Sequence, residues 1–314
     1  MSKYVFGVDV GGTTIKLGLF NKDGELLDKW EVPTRTENGG EKILPDVAES
    51  IQRKMKEKSI PRDEVIGVGL GAPGPIDAEG TVYVAVNLGW GTFSIRDTLS
   101  ELLDMKVKAG NDANVAALGE MWKGGGKGCK NLVAVTLGTG VGGGIIVNGE
   151  ILTGANGGGG EIGHIHVQDG ETEVCGCGNT GCLEEYASAT GVVRLARRAL
   201  EATSEPSILR NRPVEALSAK AVFDAVKEND AVAIQIAEKF GEYLGKGLGV
   251  IAGVVNPEIF VIGGGVSKAG DILFDYIKPY FNKTVFKGCK NVEFALATLG
   301  NDAGIYGAAK LVLE

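Results

Sequence analysis

Residues 5–14 read VFGVDVGGTT, an apolar strand that ends in a glycine–threonine turn, and a second apolar strand follows at residues 15–20. A similar unit starts at residue 132, with an apolar strand, a turn at residues 138–144 (GTGVGGG) and another strand at residues 145–147. Each unit ends in a turn that contains Asn, Gly and Glu. Hairpins with glycine turns are common, but this recurrence predicts two similar domains.

Further strands and helices surround the two units. Apolar strands at residues 65–71 and 259–265 also end in glycines. One helix is predicted by apolar residues that recur at i+4 on one face: Ile43, Val47, Ile51 and Met55. Other segments with a mainly helical pattern are residues 112–122, 184–201, 218–247, 271–281 and 302–313. This mixture indicates an α/β protein, and we expect its ligand in a cleft between the domains.

The composition excludes several classes of protein. The chain has 314 residues, a net charge of −8 and no long run of Lys or Arg, so nucleic acid is not an expected partner. It has no signal-peptide pattern and no apolar run of membrane-spanning length, so we expect a cytoplasmic protein without a membrane partner. Disulfides are rare in the cytoplasm, and three of the five cysteines lie close together, which favours metal binding.

The two glycine–threonine turns are suited to phosphate, because N–H groups and threonine hydroxyls can surround its oxygens. Gly138, Gly140 and Gly143 also satisfy the dinucleotide pattern G-x-G-x-x-G, but that pattern needs a helix where this sequence predicts a strand. A nicotinamide oxidoreductase therefore ranks third and last among the functions that we consider for this sequence. The chain contains no P-loop motif.

Three features near these turns have two interpretations each. Asp9 is either a turn cap or a ligand of Mg²⁺ through water. Lys16 is either a phosphate partner or a solvated strand residue. The glycines at 263–265 either let an adenine ring lie against the backbone or form a plain turn.

A second group of residues is suited to a sugar. Asn111 and Asp112 precede a predicted helix, so they are N-caps, or Asp112 is a base that accepts the proton of an attacking sugar hydroxyl. The segments at residues 71–75 (GAPGP) and 87–90 (NLGW) either contact a ligand or are ordinary loops.

Residues 160–184 contain the most specific cluster. One nitrogen and three sulfurs form a full set for tetrahedral Zn²⁺: His164, Cys175, Cys177 and Cys182. His166 is a weaker rival ligand. Such a site would fix the carboxylates of Glu161 and Glu184, which can accept hydrogen bonds from sugar hydroxyls, although Glu184 also suits the first turn of a helix.

These motifs resemble those of the ROK sugar kinases and, within that family, its bacterial glucokinase branch. They occur in family order over essentially the whole chain, at residues 9–13 (DVGGT), 71–75, 111–114 (NDAN), 137–144, 160–164 (GEIGH), 175–184 (CGCGNTGCLE) and 263–265. The resemblance implies an actin-like (ribonuclease H-like) ATPase fold, with two similar domains and a cleft between them. We place the small domain at residues 1–116 plus 302–314 and the large domain at residues 117–301.

The resemblance also implies roles for individual residues. Asp112 would be the catalytic base, and the hexose would be bound by Gly71, Asn87, Asn111, Asp112, Glu161, His164 and Glu184. We predict that ATP and Mg²⁺ are bound by Asp9, Gly11, Gly12, Thr13, Thr14, Lys16, Gly138, Thr139, Gly140, Gly263, Gly264 and Gly265. Structural Zn²⁺ would be bound by His164, Cys175, Cys177 and Cys182, and the protein would be a homodimer or homotetramer.

The sequence thus predicts a kinase that transfers the γ-phosphate of ATP to the 6-hydroxyl of a hexose, with glucose as the first choice. N-acetylglucosamine, N-acetylmannosamine, mannose and allose stay open as substrates, and polyphosphate stays open as donor. A non-catalytic sugar sensor is the second hypothesis. Repressors of the same family carry a helix-turn-helix ahead of this fold, and a first strand near residue 4 is expected to leave no room for one.

Overall fold

The computed structural model describes residues 3–313. Its strands are β1 (Tyr4–Val10), β2 (Thr14–Asn21), β3 (Leu26–Pro33), β4 (Val65–Ala72), β5 (Thr81–Val82), β6 (Phe93–Ser94), β7 (Val107–Asn111), β8 (Leu132–Leu137), β9 (Val141–Val147), β10 (Glu150–Ile151), β11 (Ile259–Gly263) and β12 (Glu293–Leu296). Its helices are α1 (Glu37–Gly40), α2 (Ile43–Glu57), α3 (Ile95–Leu103), α4 (Asp112–Lys123), α5 (Glu184–Ala187), α6 (Ala189–Ala202), α7 (Ala219–Lys227), α8 (Ala231–Val255), α9 (Ile272–Thr284) and α10 (Ala303–Leu313). Among these helices, none is long and apolar enough to cross a bilayer.

Two five-stranded sheets have the same strand order. The first runs β3-β2-β1-β4-β7 and the second runs β10-β9-β8-β11-β12. In the first sheet β1 is antiparallel to β2 and parallel to β4. In the second, β11 is parallel to both β8 and β12. Each predicted strand–turn–strand unit therefore continues into two parallel strands, as expected for a duplicated architecture.

The second turn is shorter than the sequence predicts. We expected a turn over residues 138–144, whereas β9 already begins at Val141. The run of glycines predicted a turn, but the glycine at position 144 is needed because a helix packs closely against it. A Cβ atom on Gly144 would collide with Ala117 of α4, so this strand position admits only glycine without a shift of the helix. The strand that follows Gly140 also confirms that the G-x-G-x-x-G match lacks its required helix.

The predicted helices are present, but two of them are divided. Between residues 184 and 201 the chain breaks at Ser188, whose hydroxyl accepts the amide of Gly191 and caps α6. The segment at residues 218–247 contains α7 and α8, because Asp230 caps a new helix by accepting the amide of Ala233 at 2.9 Å. Asn229 just before it has a φ of 61°, which a continuous helix does not allow.

The described chain divides into two compact units. The first holds the chain up to Lys130, Gly144–Gly160 and the chain from Thr298 on, and the second holds Asn131–Gly143 and Glu161–Ala297. These bounds differ from our division after residue 116, which falls inside α4. The whole of α4 belongs with α10, because Gly119 and Gly307 have no side chains where the two backbones meet.

A small apolar cluster in the first unit joins the two ends of the described chain. Val5 of β1 and Phe20 of β2 pack with residues of α10, namely Ile305, Ala309 and Val312. All five side chains are at most 1% exposed. Burying a large apolar side chain in this way stabilises a fold by about 1.5–3 kcal/mol.

Candidate active site

Asp112 is the first residue of α4, and Asn111 is its N-cap. The Asn111 Oδ1 atom accepts hydrogen bonds from the amides of Ala113 (3.0 Å) and Asn114 (3.1 Å). Its Nδ2 atom donates to the carbonyl of Gly74 at 3.1 Å. Since Asn111 caps the helix, the Asp112 carboxylate is not required for capping.

The environment of Asp112 favours proton uptake. Burial raises the pKa of Asp112, against the opposing effect of a 2.8 Å hydrogen bond from the Ala113 amide. A carboxylate with a raised pKa is a stronger base than an exposed one and is better matched to catalysis near neutral pH. The geometry therefore suits the base that the sequence predicts.

Asp9 lies near Asp112 at the same edge of the first sheet. In register, Asp9 of β1 stands opposite Gly71 of β4, which stands opposite Gly110 of β7, and β7 leads directly to Asp112. Burial raises the pKa of Asp9 to about 6, with a smaller contribution from the charge of Asp112. Lys16, its partner across the hairpin, opposes this rise in pKa. Two carboxylates and a lysine thus converge at the carboxyl ends of parallel strands.

Both predicted phosphate turns are tight and expose a threonine. In the first, the amide of Gly11 donates to the carbonyl of Thr14 at 3.1 Å. In the second, the amide of Gly138 donates to the carbonyl of Gly140 at 3.0 Å. Thr13 and Thr139 are exposed at the two turns. Exposed hydroxyl and amide donors in a turn are the groups that bind phosphate oxygens.

The glycines at 263–265 lie beside the second of these turns. Gly264 has a φ of 84°, and a Cβ atom there would crowd the backbone of Leu137, the residue just before the turn. The hydroxyl of Ser267 donates to the carbonyl of Gly264 at 2.8 Å. Nothing lies within 4 Å of a Cβ atom placed on Gly265, so this backbone is open to a ligand.

Gly71 and Asn87 differ in their relation to the site. A Cβ atom on Gly71 would lie 3.7 Å from the Cα atom of Asp112, so Gly71 is a neighbour of the predicted base. Asn87 lies in the connection between β5 and β6 and is exposed. The contacts described for residues 3–313 link Asn87 with none of the other predicted sugar residues.

The four predicted metal ligands come together in the second unit. They are His164, Cys175, Cys177 and Cys182, whose ligand atoms all lie within 4.8 Å of one another. The sulfurs of Cys177 and Cys182 are 3.6 Å apart, and the Cys175 sulfur is 3.6 Å from Nδ1 of His164. A zinc tetrahedron with Zn–S bonds of about 2.3 Å has edges of roughly 3.7 Å. The side chains present therefore fit a structural zinc ion.

His166, the rival ligand, has other partners. Its Nδ1 atom is 3.0 Å from the carbonyl of Thr180, and its Nε2 atom is 2.9 Å from the carboxylate of Asp169. The hydrogen bond with Asp169 raises the pKa of His166. The structure thus selects His164 for the cysteine cluster.

Glu161, His164 and Glu184 also form one group. The Nε2 atom of His164 is 3.8 Å from Glu161, while its Nδ1 atom is 3.8 Å from Glu184 and faces the sulfurs. The imidazole can therefore use one nitrogen for a metal and leave the other toward Glu161. This arrangement agrees with the division of roles that the sequence predicts for His164.

The sequence did not reveal what holds the segment before Cys175. Glu171 accepts hydrogen bonds from the Tyr186 hydroxyl (2.6 Å) and from Arg198 (3.0 Å), and these lower its pKa to about 2, Arg198 having the larger effect. Its side chain is only 8% exposed. Since Glu171 lies in a polar loop among other acids, no local pattern distinguishes it.

The chain belongs to the ROK family, whose model matches residues 5–314. It is 46% identical to the glucokinase of Halalkalibacterium halodurans over 99% of this chain and 96% of that protein. It is 38% identical to the glucokinase of Thermotoga maritima, over 99% and 97% respectively. Its structure resembles that of a ROK family glucokinase from Streptomyces griseus in complex with glucose and AMPPNP, with a TM-score of 0.74 and 33% identity over 98% of both chains. The predicted family and the actin-like, two-domain fold are confirmed.

Proposed function

We propose that this protein is an ATP-dependent glucokinase, which converts glucose and ATP to glucose 6-phosphate and ADP. The observation that carries the proposal is the partly buried Asp112 carboxylate with its raised pKa at the start of α4. Full-length similarity to glucokinases supports glucose as the hexose. The transfer needs a base at the sugar hydroxyl and donors around the phosphates, and the chain offers both.

Asp112 accepts the proton of the attacking hydroxyl. As the O6 atom of glucose approaches the γ-phosphorus in line, a new O–P bond forms and the bond from the γ-phosphorus to the bridging oxygen of ADP breaks. The hydroxyl proton moves to the Asp112 carboxylate. Asn111 holds the start of α4 and thereby the direction of this carboxylate.

The remaining sugar hydroxyls are bound by polar side chains. Carboxylates accept hydrogen bonds from hydroxyls, which suits Glu161 and Glu184, and the Nε2 atom of His164 adds a further polar contact. Gly71 leaves space beside Asp112. A sugar contact by Asn87 stays a prediction.

The phosphates are bound by the two glycine–threonine turns, at residues 11–14 and 138–140, with Lys16 as a cationic partner. Asp9 would hold Mg²⁺ through water, and that ion, when bound, would supply charge neutralisation on the phosphate oxygens. Residues 263–265 offer open backbone for the adenine ring.

A structural zinc ion in the Cys₃His cluster is part of the proposal. The short S–S and S–N distances support it. The ion would hold the Glu161–Glu184 region in the conformation that binds sugar. A cytoplasmic location and a homodimer or homotetramer stay predictions.

A coupled assay across a panel of hexoses tests the function. We expect glucose to be phosphorylated with ATP and Mg²⁺, and the same panel with polyphosphate replacing ATP tests the donor. ATP turnover with another hexose and not with glucose would mean that this other hexose is the substrate. Sugar binding without turnover would favour a non-catalytic sensor, the second hypothesis.

A further inference from the structure

Glu120 is a buried acid in α4 that has no role in the proposed reaction. Its side chain is 3% exposed. One carboxylate oxygen accepts hydrogen bonds from the amides of Gly125 (2.8 Å) and Thr298 (3.1 Å). The other oxygen accepts a hydrogen bond from the amide of Leu299 (2.9 Å). Three backbone amides thus satisfy both oxygens of this carboxylate.

This arrangement requires a carboxylate. A buried carboxylate is costly, and the charge-assisted hydrogen bonds that it accepts from N–H groups offset that cost. Glutamine is nearly the same size, but its amide nitrogen cannot accept a hydrogen bond, so at least one of the three amides would lose its partner. Gly124 makes room for the group, because a Cβ atom there would collide with the Glu120 carboxylate.

The segment held by Glu120 leads to the predicted nucleotide residues. Thr298 and Leu299 precede the short turn at Gly300–Asp302 and the start of α10. In that turn the carbonyl of Asn301 accepts a hydrogen bond from Nζ of Lys16 at 3.1 Å.

The first turn of α10 lies against the other predicted nucleotide residue. A Cβ atom on Gly304 would collide with the carboxylate of Asp9, so the two are in close contact. The first turn of α10 therefore bounds, on one side, the space that the Asp9 carboxylate occupies. A shift of residues 298–304 would move the surroundings of Asp9 and Lys16 together.

We propose that Glu120 is a positioning residue for the nucleotide. By fixing the amides of Thr298 and Leu299 it sets the place of the Asn301 carbonyl and of Gly304, and through them the orientation of Lys16 and Asp9. Glu120 then acts selectively on Mg·ATP and leaves glucose binding unchanged. This inference rests on the proposed function, because the nucleotide roles of Asp9 and Lys16 belong to it.

Two variants test the inference by different routes. Glu120→Gln removes the charge. Leu299→Pro leaves Glu120 intact and removes one amide that it accepts, and the φ of −81° at Leu299 suits a proline ring. Leu118→Ala is the matched control, since Leu118 is fully buried in the same helix and its truncation lowers stability without touching this segment's hydrogen bonds.

The readout is KM for Mg·ATP and KM for glucose, each measured with the other substrate saturating and below the melting temperature of every variant. Glu120→Gln and Leu299→Pro are expected to raise KM for Mg·ATP roughly 10- to 100-fold, as loss of a supporting partner typically does. KM for glucose should stay within about twofold, the sign of an effect confined to one substrate. If one variant fails to fold, the other decides.

The inference is overturned if both KM values rise together, if neither changes, or if Leu118→Ala produces the same selective rise. Calorimetry with Mg·AMPPNP separates this result from the proposed function. Should the wild-type protein turn over no hexose, the function fails, and weaker binding of Mg·AMPPNP by Glu120→Gln still supports the positioning role. Equal binding by both proteins, or no binding by the wild type, overturns it.

Discussion

The amide of Val141 donates a hydrogen bond of 3.2 Å to the carboxylate of Glu184. The other oxygen of that carboxylate accepts the thiol of Cys175 at 3.1 Å. Gly140 makes this approach feasible, because a Cβ atom there would collide with the Glu184 carboxylate. The Glu184 carboxylate therefore contacts both the second phosphate turn and the cysteine cluster. Taken one at a time, the sequence motifs would assign these two features to separate functions.

Replacement of Glu184 is expected to affect both substrates. Glu184→Gln weakens the contact with Val141 and one proposed sugar contact, so kcat/KM should fall roughly 10- to 100-fold for glucose and for ATP. Steady-state kinetics with each substrate varied will measure it. Glu173→Gln, which removes an exposed partner of Arg194, should stay near wild type. A loss confined to glucose would mean that the Val141 contact has no functional weight.

Asp112→Asn should separate binding from chemistry. The amide keeps the size of the carboxylate but cannot take the proton, so kcat should fall about 10²- to 10⁴-fold. Glucose binding by calorimetry and the melting temperature should change little. Wild-type turnover by this variant would remove Asp112 from the role of base.

The acid limb of activity should lie above the range of an ordinary aspartate. Asp112 must be ionised to accept a proton, and burial raises its pKa, so protonation in the folded enzyme begins at a higher pH than in a free side chain. The profile of kcat/KM is therefore expected to fall at a higher pH than an ordinary aspartate would give, and Asp9, whose pKa is raised to about 6, adds to the fall as it takes up its proton. A profile that stays flat down to pH 4.5 would contradict these assignments.

Asp9→Asn should stabilise the fold above pH 6. The pKa of Asp9 is raised to about 6 in the folded chain from an ordinary 3.8, so the ionised folded state bears a cost above pH 6 that disappears as pH falls toward 3.8. Two pKa units correspond to about 3 kcal/mol. Urea unfolding in EDTA should therefore show Asp9→Asn as the more stable protein at pH 8, with the difference vanishing near pH 4. Equal stability at pH 8 would refute the burial cost.

Metal analysis should find about one zinc ion per chain. Cys177→Ser removes one ligand, and loss of a structural zinc site should lower the melting temperature and raise KM for glucose. Cys129→Ser is the control, because Cys129 lies outside the cluster of four ligands. Protein purified without chelator that holds no zinc would exclude the structural ion.

The sequence was informative where a pattern is local. The strand–turn–strand units and the amphipathic face of α2 depend on neighbouring residues, so their periodicity predicts them. The sequence favoured His164 over His166 as the metal ligand, and the structure places His164 beside the three cysteines that are near it in sequence, while zinc binding by His164 stays a prediction. Gly144 was wrongly assigned to a turn. A glycine is needed at this position because of its contact with α4, and the residues of α4 lie outside any short stretch of sequence around Gly144.

Hydrogen-bond partners that are far apart in the sequence could not be predicted for the same reason. Glu120 reads as an ordinary polar residue of a helix, and only the fold brings the amides of Thr298 and Leu299 to it. Glu171 is another acid whose importance depends on a distant arginine. Buried acids are recognised by their partners, and a single sequence does not display those partners.

The packing of α10 has a consequence for synthesis of the chain. Val5 and Phe20 are synthesised long before the side chains that cover them, which include Ile305 and Val312. Until then the first sheet has an uncovered apolar face, so the first unit cannot reach its native packing while most of the polypeptide is already in solution. Nascent chains of this protein should therefore be chaperone clients until α10 has been made and has packed on the first sheet.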